Sequence, residues 1–361
     1  MAPVEPTGAD ATPPDLPVWR RRPSKEVIET SGFVERARRA ALAGAADEAI
    51  GWFERARIAL AAHGPSAELA DVIRWKGTVH AECGDTSEAD RLYQESGLIA
   101  AAAGHIKGEA HALNCRATIA QRRGELVVAE AMFHDAAELA RRAKDVRLAA
   151  MIVRNMGIVA SLRGHLDLAI ARFQESYDRA KEIGDDEGQC KALNNIATAC
   201  MEGGHFAEAE KTYLAAIKLA RRRGDRAIEC GARINLCEAM VGMGKVGEAE
   251  IECMAALGIA EWRGDRLRRA EGLKVLAMIA RRRGREDEAL ALIDDALDLT
   301  DASEDASLAA QLRREAGEIA RVRGDHQAAV RYFAEARELY RKIGAARHVT
   351  LLGRAIASLQ H

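Results

Sequence analysis

Three asparagines, Asn155, Asn195 and Asn235, recur at intervals of forty residues. A side-chain amide carries donors and an acceptor, so a row of amides can pair with the main chain of an extended peptide. Arg154 and Lys191 lie close to this row in the sequence. Such cations favour an acidic side chain or a C-terminal carboxylate. These residue types and spacings indicate binding chemistry.

The same asparagines could instead bridge neighbouring helices, because one inventory of donors and acceptors serves both purposes. The sequence leaves both interpretations open. The row ends where its equivalents become Glu35, Trp75, Cys115, Val275 and Glu315. The candidate partner-binding residues are Arg74, Asn114, Arg154, Asn155, Lys191, Asn194, Asn195, Thr198 and Asn235.

Catalytic signatures are missing from the sequence. It contains no HExxH, no GxSxG, no phosphate-binding loop and no GxGxxG motif that follows a strand. Its ten histidines are scattered, and its seven cysteines form no CxxC pair. We therefore predict no catalytic residue, no metal site and no cofactor, and we do not expect an enzyme.

The charge balance bears on the choice of partner. Lys and Arg number 53 against 55 Asp and Glu, a net charge of −2. This balance predicts neither nucleic acid nor a membrane surface as the partner. Free cysteines within helical patterns and the lack of a signal peptide or a long apolar run predict a cytoplasmic protein.

The candidate residues lie within a repeat of forty residues. Its most regular marker is a glycine, called here the repeat glycine, and the other positions are counted from it. A small residue stands at position −7, alanine at +5, a larger residue at +9 and a small residue at +12. Small residues let two helices approach closely, so each repeat predicts a pair of antiparallel helices. The repeat glycines are Gly44, Gly84, Gly124, Gly164, Gly204, Gly244, Gly284 and Gly324.

Turn residues support the same hairpin. Each repeat glycine can take a positive φ and end the first helix. Asp47, Ser87, Asp167 and Asp287 are predicted to cap the second helices. A second glycine turn is predicted between hairpins, with Lys144 and Glu304 as the exceptions to the glycine. The caps predicted after this turn are Asp145, Asp185, Asp225, Asp265 and Asp305.

This pattern resembles the tetratricopeptide repeat (TPR) family, whose usual repeat is 34 residues long. The longer unit is similar to the extended repeats of kinesin light chains and Rap-type regulators. The resemblance implies an all-α, right-handed superhelical solenoid of eight hairpins plus a C-terminal capping helix. We expect a Pro-rich disordered tail at 1–23, the repeats at 24–344 and the capping helix at 345–361.

In that family the candidate residues would line the concave groove. Because the asparagine row fails at both ends of the array, the site is expected to centre on the fourth to sixth repeats. We predict a scaffold or regulatory adaptor that binds a peptide or partner segment there. One alternative is a peptide- or ligand-gated regulator of Rap type. Another is a structural module that assembles with itself, since nothing in the sequence selects an oligomeric state.

Overall fold

The structure is a computed structural model that describes residues 25–300 and 306–360, with side chains from Thr30 onward. It contains seventeen α-helices in those ranges. The first helices of the hairpins are α1 (Lys25–Leu42), α3 (Ala67–Glu82), α5 (Ile106–Arg122), α7 (Val146–Leu162), α9 (Asp186–Glu202), α11 (Arg226–Gly242), α13 (Arg266–Arg282) and α15 (Ala306–Arg323). The second helices are α2 (Ala46–Ala61), α4 (Thr86–Ala102), α6 (Leu126–Arg142), α8 (Leu166–Glu182), α10 (Phe206–Arg223), α12 (Val246–Trp262), α14 (Glu286–Thr300) and α16 (His326–Lys342).

Each second helix packs against its own first helix and against the first helix of the next hairpin. The helix α17 (Ala346–Leu359) packs on α16. The predicted all-α array of helical hairpins is therefore confirmed. The tail predicted at 1–23 lies outside the described residues.

Small residues and the side chain at position +9, an aromatic ring in six of the eight hairpins, build the core. The alanine at position +5 is completely buried in all eight hairpins. At position −7, glycine makes room for the ring at position +9: a Cβ added to Gly157 would lie 2.5 Å from Cε1 of Phe173. The close helix contact that the sequence predicts thus depends on these small residues.

The caps between hairpins follow the prediction, whereas those within hairpins do not. Asp145 accepts a hydrogen bond from the main-chain N–H of Leu148 at 2.9 Å, and Asp185, Asp225 and Asp265 cap in the same way. Asp305 lies outside the described residues. Asp47, Ser87, Asp167 and Asp287 lie inside the second helices. The prediction was wrong there because the next helix begins directly after the glycine, so the cap stands at position +1, as with Asp85.

Lys144 is the one non-glycine residue with positive φ, at 53°, among the described residues. Lys144→Gly should stabilise the protein by about 1 kcal/mol, because a Cβ is strained in this conformation. Gly184 holds the equivalent turn at φ 66° with open space around it. Gly184→Lys should therefore destabilise by a similar amount, as urea unfolding can measure; equal stability in all three proteins would contradict this account.

The C-terminal end of the array contacts its middle. Arg347 Nη2 on α17 donates to the main-chain oxygen of Glu202 on α9 at 2.7 Å. A Cβ added to Gly124 would lie 2.7 Å from the main-chain oxygen of Lys342. Leu162 at the end of α7 packs against the C-terminal apolar cluster. We call this set the closure contact; it holds α17 and the α16–α17 turn against the ends of α5, α7 and α9.

Candidate functional site

Two of the predicted asparagine pairs join adjacent first helices. Asn155 Nδ2 donates to Asn114 Oδ1 at 3.0 Å, and both side chains are buried. Asn235 Nδ2 donates to Asn194 Oδ1 at 3.1 Å. Each bond therefore links position −9 of one hairpin to position −10 of the hairpin before it. These four amides bridge helices in the structure.

The same register places Asn195 opposite Arg154. Neither side chain has a hydrogen bond or ion pair within the described ranges 25–300 and 306–360, and both are partly exposed. Burial lowers the pKa of Arg154, although Glu187 and Asp185 oppose this shift. Glu187 pairs with Lys191 and Asp185 with Arg147, so both carboxylates are already engaged. Arg154 and Asn195 thus form a cation and an amide that can receive an outside acceptor.

The other predicted residues are engaged within the protein. Lys191 Nζ lies 2.5 Å from Glu187 Oε1 one turn away. Thr198 Oγ1 donates to the main-chain oxygen of Asn194 at 3.0 Å and lies 2.9 Å from the Tyr213 hydroxyl. Arg74 pairs with Asp71 at 2.8 Å. Of the nine candidates, Arg154 and Asn195 have no hydrogen bond or ion pair in the described ranges, and Arg74 Nε is buried without a hydrogen-bond partner.

Two cations of the same face were missed by the sequence analysis. Lys274 and Arg314 occupy position −10 in later hairpins, as Arg74 and Arg154 do in earlier ones. Lys274 Nζ donates to Glu238 Oε2 at 2.9 Å and to Gln311 Oε1 at 2.6 Å. A comparison of the residues at position −10 in all eight hairpins would have identified these cations from the sequence.

The N-terminal end of this face widens into a cavity of about 880 Å³ between α1 and α3. Val34, Glu35 and Trp75 are among its lining residues. The Arg38 guanidinium lies 4.0 Å from the centroid of the Trp75 ring, an engaged cation–π pair. This cavity lies away from Arg154 and Asn195, in the first two hairpins.

In the part of the chain that the structure describes, no three His, Cys, Asp or Glu residues are grouped to hold a metal ion. No helix of those residues is long and apolar enough to span a bilayer.

The hairpin array resembles several solved structures. A Rap protein complexed with competence and sporulation factor aligns with 92% of this chain and 98% of its own, at 14% identity and a TM-score of 0.61. The Rap conjugation gene regulator of plasmid pLS20, in complex with the Phr* peptide, aligns over 91% of this chain and 89% of its own, at 14% identity and a TM-score of 0.64.

Aspartyl phosphate phosphatase F from Bacillus subtilis aligns over 76% of this chain and 71% of its own, at 12% identity and a TM-score of 0.64. At these identities the likeness shows the fold alone. No curated protein sequence matches the chain.

The sequence itself matches the tetratricopeptide repeat family in three segments. The matches cover residues 108–182, 148–222 and 268–342, which together make up more than half of the chain. They include the hairpins that carry Arg154 and Asn195. The protein belongs to the tetratricopeptide repeat family.

Proposed function

We propose that the protein is a regulatory adaptor that holds a partner peptide on the face formed by its first helices. An acidic side chain or C-terminal carboxylate of the peptide binds Arg154, and its main chain pairs with Asn195. The observation that carries this proposal is that these two side chains have no partner within the described residues, while their neighbours pair with one another. A partly buried arginine without a carboxylate gains most from an anionic ligand.

The likeness to the Rap regulator solved with the Phr* peptide supports a peptide as the ligand class. A peptide also suits the Asn195 amide, because its main chain offers a donor and an acceptor at every residue. Adaptor function then follows from the array, which presents one extended surface to a partner segment.

Arg154→Glu should weaken peptide binding about 10- to 100-fold, since it removes a charge-assisted hydrogen bond. Peptides selected on the full-length protein from a random library with free C-termini serve as probes. Fluorescence anisotropy should show a smaller loss for Asn195→Ala and none for Arg142→Glu, an exposed arginine on α6. If Arg154→Glu and Arg142→Glu bind the selected peptides equally, the proposed site is wrong.

A ligand-gated regulator is the second candidate, and the closure contact favours it. The hydrogen bond between Arg347 and Glu202 joins residues far apart in the chain, so small rotations between hairpins can open or tighten it. In this version a bound peptide changes the superhelix and thereby the surface offered to a partner protein. X-ray scattering with and without a selected peptide tests it, and an unchanged radius of gyration contradicts it.

A further inference from the structure

The second helices form one face of the array, called here the outer face, and α12 differs from the rest. Positions +7, +10 and +14, continued by +18 where the described helix reaches it, lie on one face of each second helix. On α12 they are Ile251, Met254, Gly258 and Trp262, with Ile251 73%, Met254 57% and Trp262 80% exposed. Each of the other seven second helices carries at least one charged residue in its stripe. A continuous apolar stripe of this kind marks an interaction surface.

The helices on either side of α12 carry opposite charges. On α10 the exposed face has Lys211, Lys218 and Arg222. On α14 it has Asp294, Asp295 and Asp298. None of these six side chains has an ion pair among the described residues, although ion pairs are common on the rest of the surface. The outer face is therefore basic on α10, apolar on α12 and acidic on α14.

This arrangement of basic, apolar and acidic helices can pair with a second copy of itself when the two copies are related by a two-fold axis parallel to α12. An axis parallel to α12 places the stripe on the stripe of a second copy. It also places α10 of each copy over α14 of the other, so that Lys218 faces the partner copy's acidic helix. An axis across the helices would instead set α10 on α10 and α14 on α14, which like charges disfavour.

Gly258 lies in the middle of the stripe. A Cβ added there would meet no atom within 4 Å, so the position is open at the surface. A glycine at this point lets two helices approach closely between the larger Met254 and Trp262 side chains. We propose that the protein forms a parallel, two-fold homodimer through α12, with salt bridges between α10 of one copy and α14 of the other.

Light scattering after size-exclusion chromatography of the full-length protein tests the dimer. The wild type should show twice the monomer mass at micromolar concentration. Trp262→Glu should raise the dissociation constant at least about 100-fold, because the two-fold axis sets the carboxylates of the two copies against each other within the apolar contact. The matched control is Leu98→Glu, an exposed apolar residue of the α4 stripe, which should remain dimeric. Circular dichroism checks that both variants keep their helices.

Charge reversal tests the orientation. Lys218→Glu and Asp298→Lys should each weaken the dimer about tenfold, and the double variant should restore it. Trp262→Cys in a Cys83→Ala background should form an intermolecular disulfide, since only the parallel arrangement brings the two copies of this residue together. A monomeric wild type, a mass other than twofold, an unaffected Trp262→Glu dimer or a stronger Lys218→Glu dimer would each overturn the proposal.

Discussion

Lys274→Ala should lower the free energy of unfolding by about 3–5 kcal/mol. Lys274 is buried, and its ammonium group donates to both Glu238 and Gln311 from a helix between theirs. Removing it leaves the Glu238 carboxylate in the protein interior without its nearest cation. Urea unfolding followed by circular dichroism measures the loss.

The double variant Lys274→Met with Glu238→Leu provides the control. It replaces the ion pair with apolar groups of similar size, so most of the stability should return. If the double variant is as unstable as Lys274→Ala, packing rather than an isolated charge explains the effect.

The pH dependence has a defined sign. Burial opposes ionisation of Glu238, but Lys274 and Arg314 hold its pKa below the ordinary value of 4.5. A carboxyl group with a lowered folded-state pKa contributes stability above its unfolded pKa, and this contribution is lost as the pH falls through the folded value. Lys274→Ala should therefore flatten the acid side of the stability profile.

The sequence predicts the hairpins well because their determinants are local. A glycine every forty residues, with small residues at fixed distances, requires the same pair of helices wherever it occurs. The cap positions within hairpins were predicted two residues too late. The reason is also local: the glycine turn leaves no spare residue before the next helix.

The site is harder to predict because it depends on how adjacent helices are offset along their axes. Sequence spacing shows that Asn155, Asn195 and Asn235 share a face. It does not show that position −9 of one hairpin contacts position −10 of the hairpin before it. This contact pairs Asn155 with Asn114 and places Asn195 opposite Arg154. That offset results from packing between hairpins, and no single repeat encodes it.

The closure contact is beyond sequence reasoning for a related reason. It is the sum of several small rotations between successive hairpins, so a change of a few degrees in each would separate Arg347 from Glu202. Its residues carry no motif. The structure is needed to see that α17 lies against the middle of the array.

The closure contact should weaken at low pH because of His348. The His348 ring on α17 stacks on Tyr340 with centroids 4.5 Å apart. Burial lowers the pKa of His348 to about 4, from an ordinary value of 6.5, with Arg314 and Arg347 adding to the shift. The folded protein thus holds this histidine neutral, whereas the unfolded chain binds a proton below pH 6.5. Stability should fall by about 3 kcal/mol between pH 6.5 and pH 4 from this group.

His348→Gln should remove this part of the acid sensitivity, because glutamine does not titrate in the range. For each protein, the free energy of unfolding is measured at pH 7 and at pH 4.5, and the change between the two is compared for wild type and variant. Carboxyl groups contribute equally to both proteins, so their contribution cancels in this comparison. His326→Gln, at an exposed position on α16, serves as the control and should behave as the wild type. Helix α17 carries both His348 and the Arg347 hydrogen bond to Glu202. The radius of gyration of the wild type should therefore rise as the pH falls over this interval, and that of His348→Gln should stay constant. Identical profiles for the wild type and His348→Gln would show that the closure contact does not depend on a neutral histidine.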